Sequence, residues 1–186
     1  MNTYKVLNKH VFEQGVFRLV PIRFTDRYDI MHWRNEQMYH LRQQLPLTQA
    51  IQDQYFGEVI QELFDQDTPD QILFSFLEND QCIGYGGLVH INWTDRHAEL
   101  SFIMDTSLEA ERFDEIWSAY LPLIEEVAFK QLVLHKIFTY AFDMRPHLYE
   151  VLEKNSFFLD ATLRDHCLYE GEYVDVIIHA KLNDLR

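Results

Sequence analysis

The chain has 186 residues, 47% apolar and 15% aromatic, which is enough to fill a sizeable core in one domain spanning residues 1–186. Thirty acids against 16 bases give a formal charge of −14 with no basic block, which excludes the phosphate-neutralising surface that nucleic-acid binding draws on and favours a cationic or amine partner by steering. No uncharged run is long or apolar enough to span a bilayer, and Met1-Asn2-Thr3-Tyr4-Lys5 lacks the apolar stretch of a signal peptide, so a soluble cytoplasmic protein without membrane partners is expected.

Phe17 to Arg23 alternates apolar and polar and reads as a strand, with a short one before it at Tyr4–Leu7. Thr25 or Asp26 caps a helix running through Ile30 and Trp33. A second helix, Gln49 to about Phe64, aligns Ile51, Tyr55, Phe56, Val59, Ile60 and Leu63 on one face. A meander follows, with strands at Ile72–Leu77, Cys82–Ile91 and Ala98–Met104 joined by small polar turns. Glu109–Gln131 reads as the longest helix, with Phe113, Ile116, Trp117, Tyr120, Ile124 and Val127 as its buried stripe and Pro122 as a bend. Then come a strand at Ile137–Phe142, a helix at Pro146–Asn155, and strands at Phe158–Leu163 and Tyr173–Leu182. Helices interleaved with strands in this order predict a layered α/β (α+β) domain with a mixed central sheet.

Two cysteines, Cys82 and Cys167, sit in apolar, strand-like settings and read as small buried thiols. Among nine histidines no pair has the i, i+4 spacing of a helical zinc site, so no metal is expected. Neither a Ser-His-Asp nor a Cys-His arrangement suggests a covalent intermediate.

Four pieces, in this order and at these spacings, carry a resemblance. They are Trp33-Arg34-Asn35, Gln81-Cys82-Ile83-Gly84-Tyr85-Gly86-Gly87-Leu88, Arg96-His97-Ala98-Glu99-Leu100-Ser101-Phe102, and Leu152-Glu153-Lys154-Asn155-Ser156-Phe157. From about Phe17 to Leu182 the chain resembles the GNAT superfamily of acyl-CoA-dependent N-acyltransferases, in particular branches that modify ribosomal-protein N-termini and amino sugars. The resemblance implies about seven strands, about four helices, and a sheet splayed between its fourth and fifth strands. It also implies acetyl-CoA as co-substrate and direct acetyl transfer to a primary amine of a small molecule (an amino sugar among them) or of a peptide N-terminus. Strand edges in such folds often pair, which is compatible with a homodimer.

The resemblance places Glu99 beside the reaction cleft as the base for the amine. Strand alternation puts it on the face of Ser101 and Ile103, and apolar neighbours there would raise its proton affinity. Backbone groups of Phe102, Ile103 and Met104 would meet the pantetheine arm. Trp33, Arg34 and Asn35 would line the acceptor by stacking and bidentate hydrogen bonding, as suits a sugar or nucleotide. Two departures stand out. Where the family carries glycines that admit the pyrophosphate, this chain has Glu109, Ala110, Glu111 and Arg112. Acids at a helix start fold well but compete with phosphate for the same amides. Arg112 and Arg145 would then hold phosphate in place of backbone. The family's general-acid tyrosine is replaced by Leu152, with Tyr149 one turn earlier. These departures leave a second reading, a non-catalytic binding or regulatory module of the same fold.

Overall fold

The computed structural model describes residues 2–184, so Met1, Leu185 and Arg186, the ends of the expected 1–186 domain, lie outside the described residues. The chain enters through a turn rather than the short strand expected at Tyr4–Leu7, with Leu7 N–H donating to Tyr4 C=O at 3.1 Å. Tyr4 is fully buried, and a buried phenol needs partners. Its hydroxyl donates to Leu73 C=O at 2.8 Å and accepts from Leu73 N–H at 2.9 Å, so the side chain plugs the sheet instead of extending it.

A short strand β1 (Phe12–Gln14) leads into β2 (Phe17–Pro21). After a 3₁₀ turn at Phe24–Asp26 comes helix α1 (Arg27–Glu36). Asp26 stands at its N-cap but turns its carboxylate to Arg23 (2.6 and 2.8 Å) rather than to the helix amides. Helix α2 begins with Gln49–Gln54, capped by the Thr48 hydroxyl on Ile51 N–H, and continues through a π-helical segment Tyr55–Ile60 into Gln61–Leu63. The wider π turn rotates the buried face. Phe56, Ile60 and Leu63 are buried as expected, Gln52 joins them, and Ile51 and Val59 face solvent.

The meander is β3 (Ile72–Glu78), β4 (Gln81–Asn92) and β5 (His97–Met104). Asn79 and Asp80 both have positive φ (47° and 71°), the requirement of a tight type I′ hairpin turn. Helix α3 (Thr106–Glu125) runs on as a π-helical segment Glu126–Gln131. It starts three residues before the expected Glu109, because the Asp105 side chain caps it through Ser107 N–H. Its predicted stripe is buried throughout. The chain closes with β6 (Lys136–Phe142), α4 (Pro146–Lys154), β7 (Phe158–Tyr169) and β8 (Glu172–Leu182).

Among the described residues all strands join one eight-stranded sheet in the order β1-β2-β3-β4-β5-β6-β8-β7. Its one parallel contact, β5 with β6, holds only at His97–Lys136, Ala98–Ile137 and Glu99–Phe138, after which the two strands part. Helices α1 and α2 cover one face. The other face carries α3, where Tyr120 stacks on Phe102 at 3.9 Å and Trp117 meets that ring edge-on. Where α3 crosses β4 the sheet has no room for a side chain. A Cβ at Gly86 would lie 2.1 Å from Ser101 C=O and 2.8 Å from the Tyr120 hydroxyl. Gly86→Ala is expected to destabilise the fold by about 1–3 kcal/mol, the usual cost of overpacking, read as an earlier midpoint in urea unfolding. Among the described residues no helix is long and apolar enough to cross a membrane.

Candidate active site

Where β5 and β6 part, a cleft of about 110 Å³ opens through the sheet. Phe102, Trp117 and Leu148 line it from the α3 side, and His40, Arg42 and Glu99 from the α1 side. The ladder bond from Asp105 N–H to Ile83 C=O (2.8 Å) fixes the phase of β5. Odd-numbered backbone groups bond β4, and even-numbered ones turn toward the gap. Phe102 therefore offers main-chain groups to the cleft. Ile103 also lines it but its backbone belongs to the β4 ladder, and Met104 is not among the lining residues. Met104 C=O already accepts from the buried Gln37 amide at 2.9 Å.

Glu99 is buried on β5, on the sheet face shared with Ser101 and Ile103. Its surroundings are not only apolar. Arg42 Nη2 donates to Oε1 at 2.5 Å, and His90 Nδ1 lies 2.8 Å from Oε2. A carboxylate only accepts, so Nδ1 carries the proton of this contact and Nε2 faces solvent. A β-bulge makes this contact. Between the pairs Val89–Glu99 and Asn92–His97, residues His90 and Ile91 face Ala98 alone, and His90 takes φ +50°. Arg42, from the α1–α2 loop, also lies 4.6 Å over the Tyr140 ring. Tyr140 lines the cleft, and burial first, then its contact with the Cys167 thiol at 3.5 Å, push its phenol up to about 12.

The start of α3 is closed by the chain's own groups. Asp105 Oδ1 accepts from Ser107 N–H (2.9 Å) and from the Ser107 hydroxyl (2.8 Å). Glu109 and Glu111 lie inside the helix rather than in a turn. Glu111 and Ala110 are exposed, and Glu109 reaches across to Arg145 at 2.6 Å. Arg145 is 5% exposed, lines the cleft, and keeps its Nε without a hydrogen-bond partner. Its Nη1 points at His40 Nδ1 (3.4 Å), which fixes His40 as the acceptor there and as the Nε2–H donor to Gln37 (3.2 Å). Burial, then the Arg145 charge, hold the His40 imidazole down to about 3, so it stays neutral in the fold. Arg112 points elsewhere, spanning Glu78 (2.9 and 2.7 Å) and Glu115 (2.8 Å).

The three residues expected to line the acceptor separate. Trp33 is 5% exposed and belongs to the core. Asn35 ties down the α1–α2 loop, bonding Leu47 N–H and C=O at 2.7 and 2.9 Å. Arg34 alone lines a cavity, one of about 260 Å³ under α1 and α2 that also meets Tyr55, Phe56, Leu73, Tyr85 and Val89. Ser101 lines both this cavity and the cleft, and Glu99 is two residues from it on the same face. At the fourth helix, Leu152 is fully buried, and the Tyr149 hydroxyl lies within bonding distance of Phe142 C=O (3.2 Å) and Asp143 Oδ1 (3.1 Å) without lining the cleft itself. Cys82 is a buried thiol held up to about 12 by burial, and Cys167 is half-buried.

Arg42, His90 and Tyr140 escape sequence reasoning. Arg42 sits in an aperiodic loop, His90 depends on a bulge with no sequence mark, and Tyr140 reads as one more alternating strand residue. His40 is visible as a polar residue near Trp33 but not as a partner of Arg145.

A family model described as an acetyltransferase (GNAT) domain matches residues 19–178. A comparison with curated protein sequences gives no match. Among solved structures, the chain is similar to a spermidine N-acetyltransferase from Vibrio cholerae in complex with CoA and spermine, at TM-score 0.79 and 18% identity, covering 91% of this chain and 97% of that one. A dodecameric form of the Vibrio cholerae spermidine N-acetyltransferase gives TM-score 0.73 at 18% identity, covering 91% and 95%. A crystal structure called a probable acetyltransferase gives TM-score 0.73 at 17% identity, covering 92% and 96%. At these identities the structural likeness speaks for the fold, and the match over residues 19–178 speaks for the family: the chain belongs to the GNAT acetyltransferases.

Proposed function

We propose that the chain transfers an acetyl group from acetyl-CoA directly to a primary amine of a small molecule. The observation that carries this reading is the meeting of two cavities at Ser101, one in the split between β5 and β6 and one under α1 and α2, with Glu99 beside the junction. Direct transfer needs two reactants brought together from separate entrances, with a proton acceptor at the contact. Main-chain groups of Phe102 suit the pantetheine arm, and Arg145 suits a phosphate once Glu109 yields it. The bound thioester would supply an acyl group already activated for attack by an amine. Glu99 would take the amine proton directly or through water, and its partner His90, in its neutral form, offers Nε2 as an alternative acceptor in the same unit. Tyr140, whose phenol stays protonated at neutral pH, is the cleft's candidate to protonate the leaving thiolate.

A second reading, a non-catalytic module of the same fold, is supported by the Asp105 cap and the Glu109–Arg145 ion pair, which occupy the helix start with the chain's own charges. A thermal-shift titration separates the two. A ligand at 100 times its dissociation constant stabilises by about 2.7 kcal/mol, so a clear rise in midpoint with acetyl-CoA is expected, with thiol release on adding an amine. No shift at millimolar acetyl-CoA would favour the module.

A further inference from the structure

The cavity under α1 and α2 is built for one kind of occupant. Its walls are mostly apolar or aromatic, including Leu47, Tyr55, Phe56, Leu73 and Tyr85, and no acid is among the described lining residues. Arg34 is the one formal charge there. Its guanidinium is held by neutral groups only, with Nε donating to Gln43 Oε1 at 2.9 Å and Nη1 to the Tyr85 hydroxyl at 2.6 Å. Gln43 is itself fixed by Asn35 at 3.0 Å, so the fork is oriented before any ligand arrives. The contrast with most other arginines is informative in a chain holding 30 acids. Arg18, Arg23, Arg27, Arg42, Arg112 and Arg145 each pair with a carboxylate. Arg96 and Arg164, which do not among the described residues, are exposed where Arg34 is partly buried. A partly buried cation without a counter-charge is costly, and a ligand carboxylate relieves that cost while making a charge-assisted, bidentate contact.

We infer, on the reading of the chain as an acetyltransferase, that its acceptor is a monoamine whose apolar body carries a carboxylate, bound with the carboxylate on Arg34 and the amine at Ser101 and Glu99. Register sets the spacing. Tyr85 stands opposite Ile103, two residues beyond Ser101. The two anchor positions therefore lie roughly 7 Å apart along the strand direction, two residues of β-rise, so an acceptor with a rigid spacer of that order is the one to try. An apolar spacer of that length fills the cavity between them. A polyamine fits poorly, since its second ammonium would enter a cavity that offers it Arg34 and no acid.

Three amines test this on the full chain by calorimetry at low salt: 4-(aminomethyl)benzoate, benzylamine (the same body without the carboxylate) and spermidine. The carboxylated amine is expected to bind at least about tenfold tighter than the other two, as one desolvated charge pair allows. Arg34→Gln should erase that preference, bringing the carboxylated amine to the level of benzylamine in the same variant, while Arg34→Lys restores part of it. Equal binding of the carboxylated amine and benzylamine, or tighter binding of spermidine, overturns the inference. Thiol release from acetyl-CoA, measured with the same three amines, tests acetyl transfer separately. Release with spermidine alone would keep the acetyltransferase and discard this acceptor. Selective binding of the carboxylated amine without any release would keep the binding site and discard the acetyltransferase.

Discussion

Glu99→Gln is expected to lower turnover by about 10²–10⁴-fold, the usual worth of a positioned general base, with acetyl-CoA affinity nearly unchanged. The substitution keeps shape and hydrogen-bond acceptor but removes the charge that Arg42 and His90 both meet. Arg42 has half its side chain in solvent, so losing the ion pair costs the fold little and the loss of rate reads as chemistry. His90→Gln separates the two acceptors in the unit. If the proton goes to Glu99, the His90 variant retains most of its rate. If it goes to His90 Nε2, both variants fall together and the acid limb of the pH–rate profile disappears with the imidazole. A Glu99→Gln enzyme with full activity would remove both from the mechanism.

The fold was legible because its evidence is periodic. Alternation in β3 to β5 and the Phe113-to-Val127 stripe of α3 report burial, and burial is what sets element type and order. Where periodicity failed, a local detail had intervened. Asp105 starts α3 early through Ser107, and in α2, interrupted by a π turn, Gln52 is buried while Ile51 and Val59 are exposed. The site was less legible for the same reason. Glu99 could be placed because a strand fixes its face, and the splay follows from the fold. Trp33, Arg34 and Asn35 are consecutive in a helix, so they point in three directions and cannot form one wall. Arg42 and His90 arrive through a loop and a bulge, whose geometry depends on long-range contacts that no local pattern records. The mean charge is silent on position. A field of −14 favours cations at a distance, while inside the two cavities Arg42 meets Glu99, Arg145 meets Glu109, and Arg34 has neutral partners.

Glu109→Gln is expected to tighten acetyl-CoA binding while weakening the ligand-free fold. In the parent chain the Arg145 guanidinium is 95% shielded from solvent by its surroundings and neutralised by Glu109 at 2.6 Å. Removing one partner of a buried pair leaves an uncompensated charge and costs about 3–5 kcal/mol in the most buried cases, less here because Glu109 is partly exposed. A phosphate then supplies the missing charge, so the variant should melt earlier without ligand and gain a larger shift with it. Asp105→Asn gives a companion without that loss, since asparagine caps a helix about as well as aspartate. It keeps the bond to Ser107 and removes only the negative charge at the helix start. One like charge withdrawn from near a phosphate is worth about 1–2 kcal/mol, a gain of about 5–30-fold in affinity at low salt that shrinks as ionic strength rises. Glu111→Gln, on the exposed side of α3, should change little and controls for net charge. Unchanged affinity in both the Glu109 and the Asp105 variants at low salt would mean that no phosphate approaches this end of the helix.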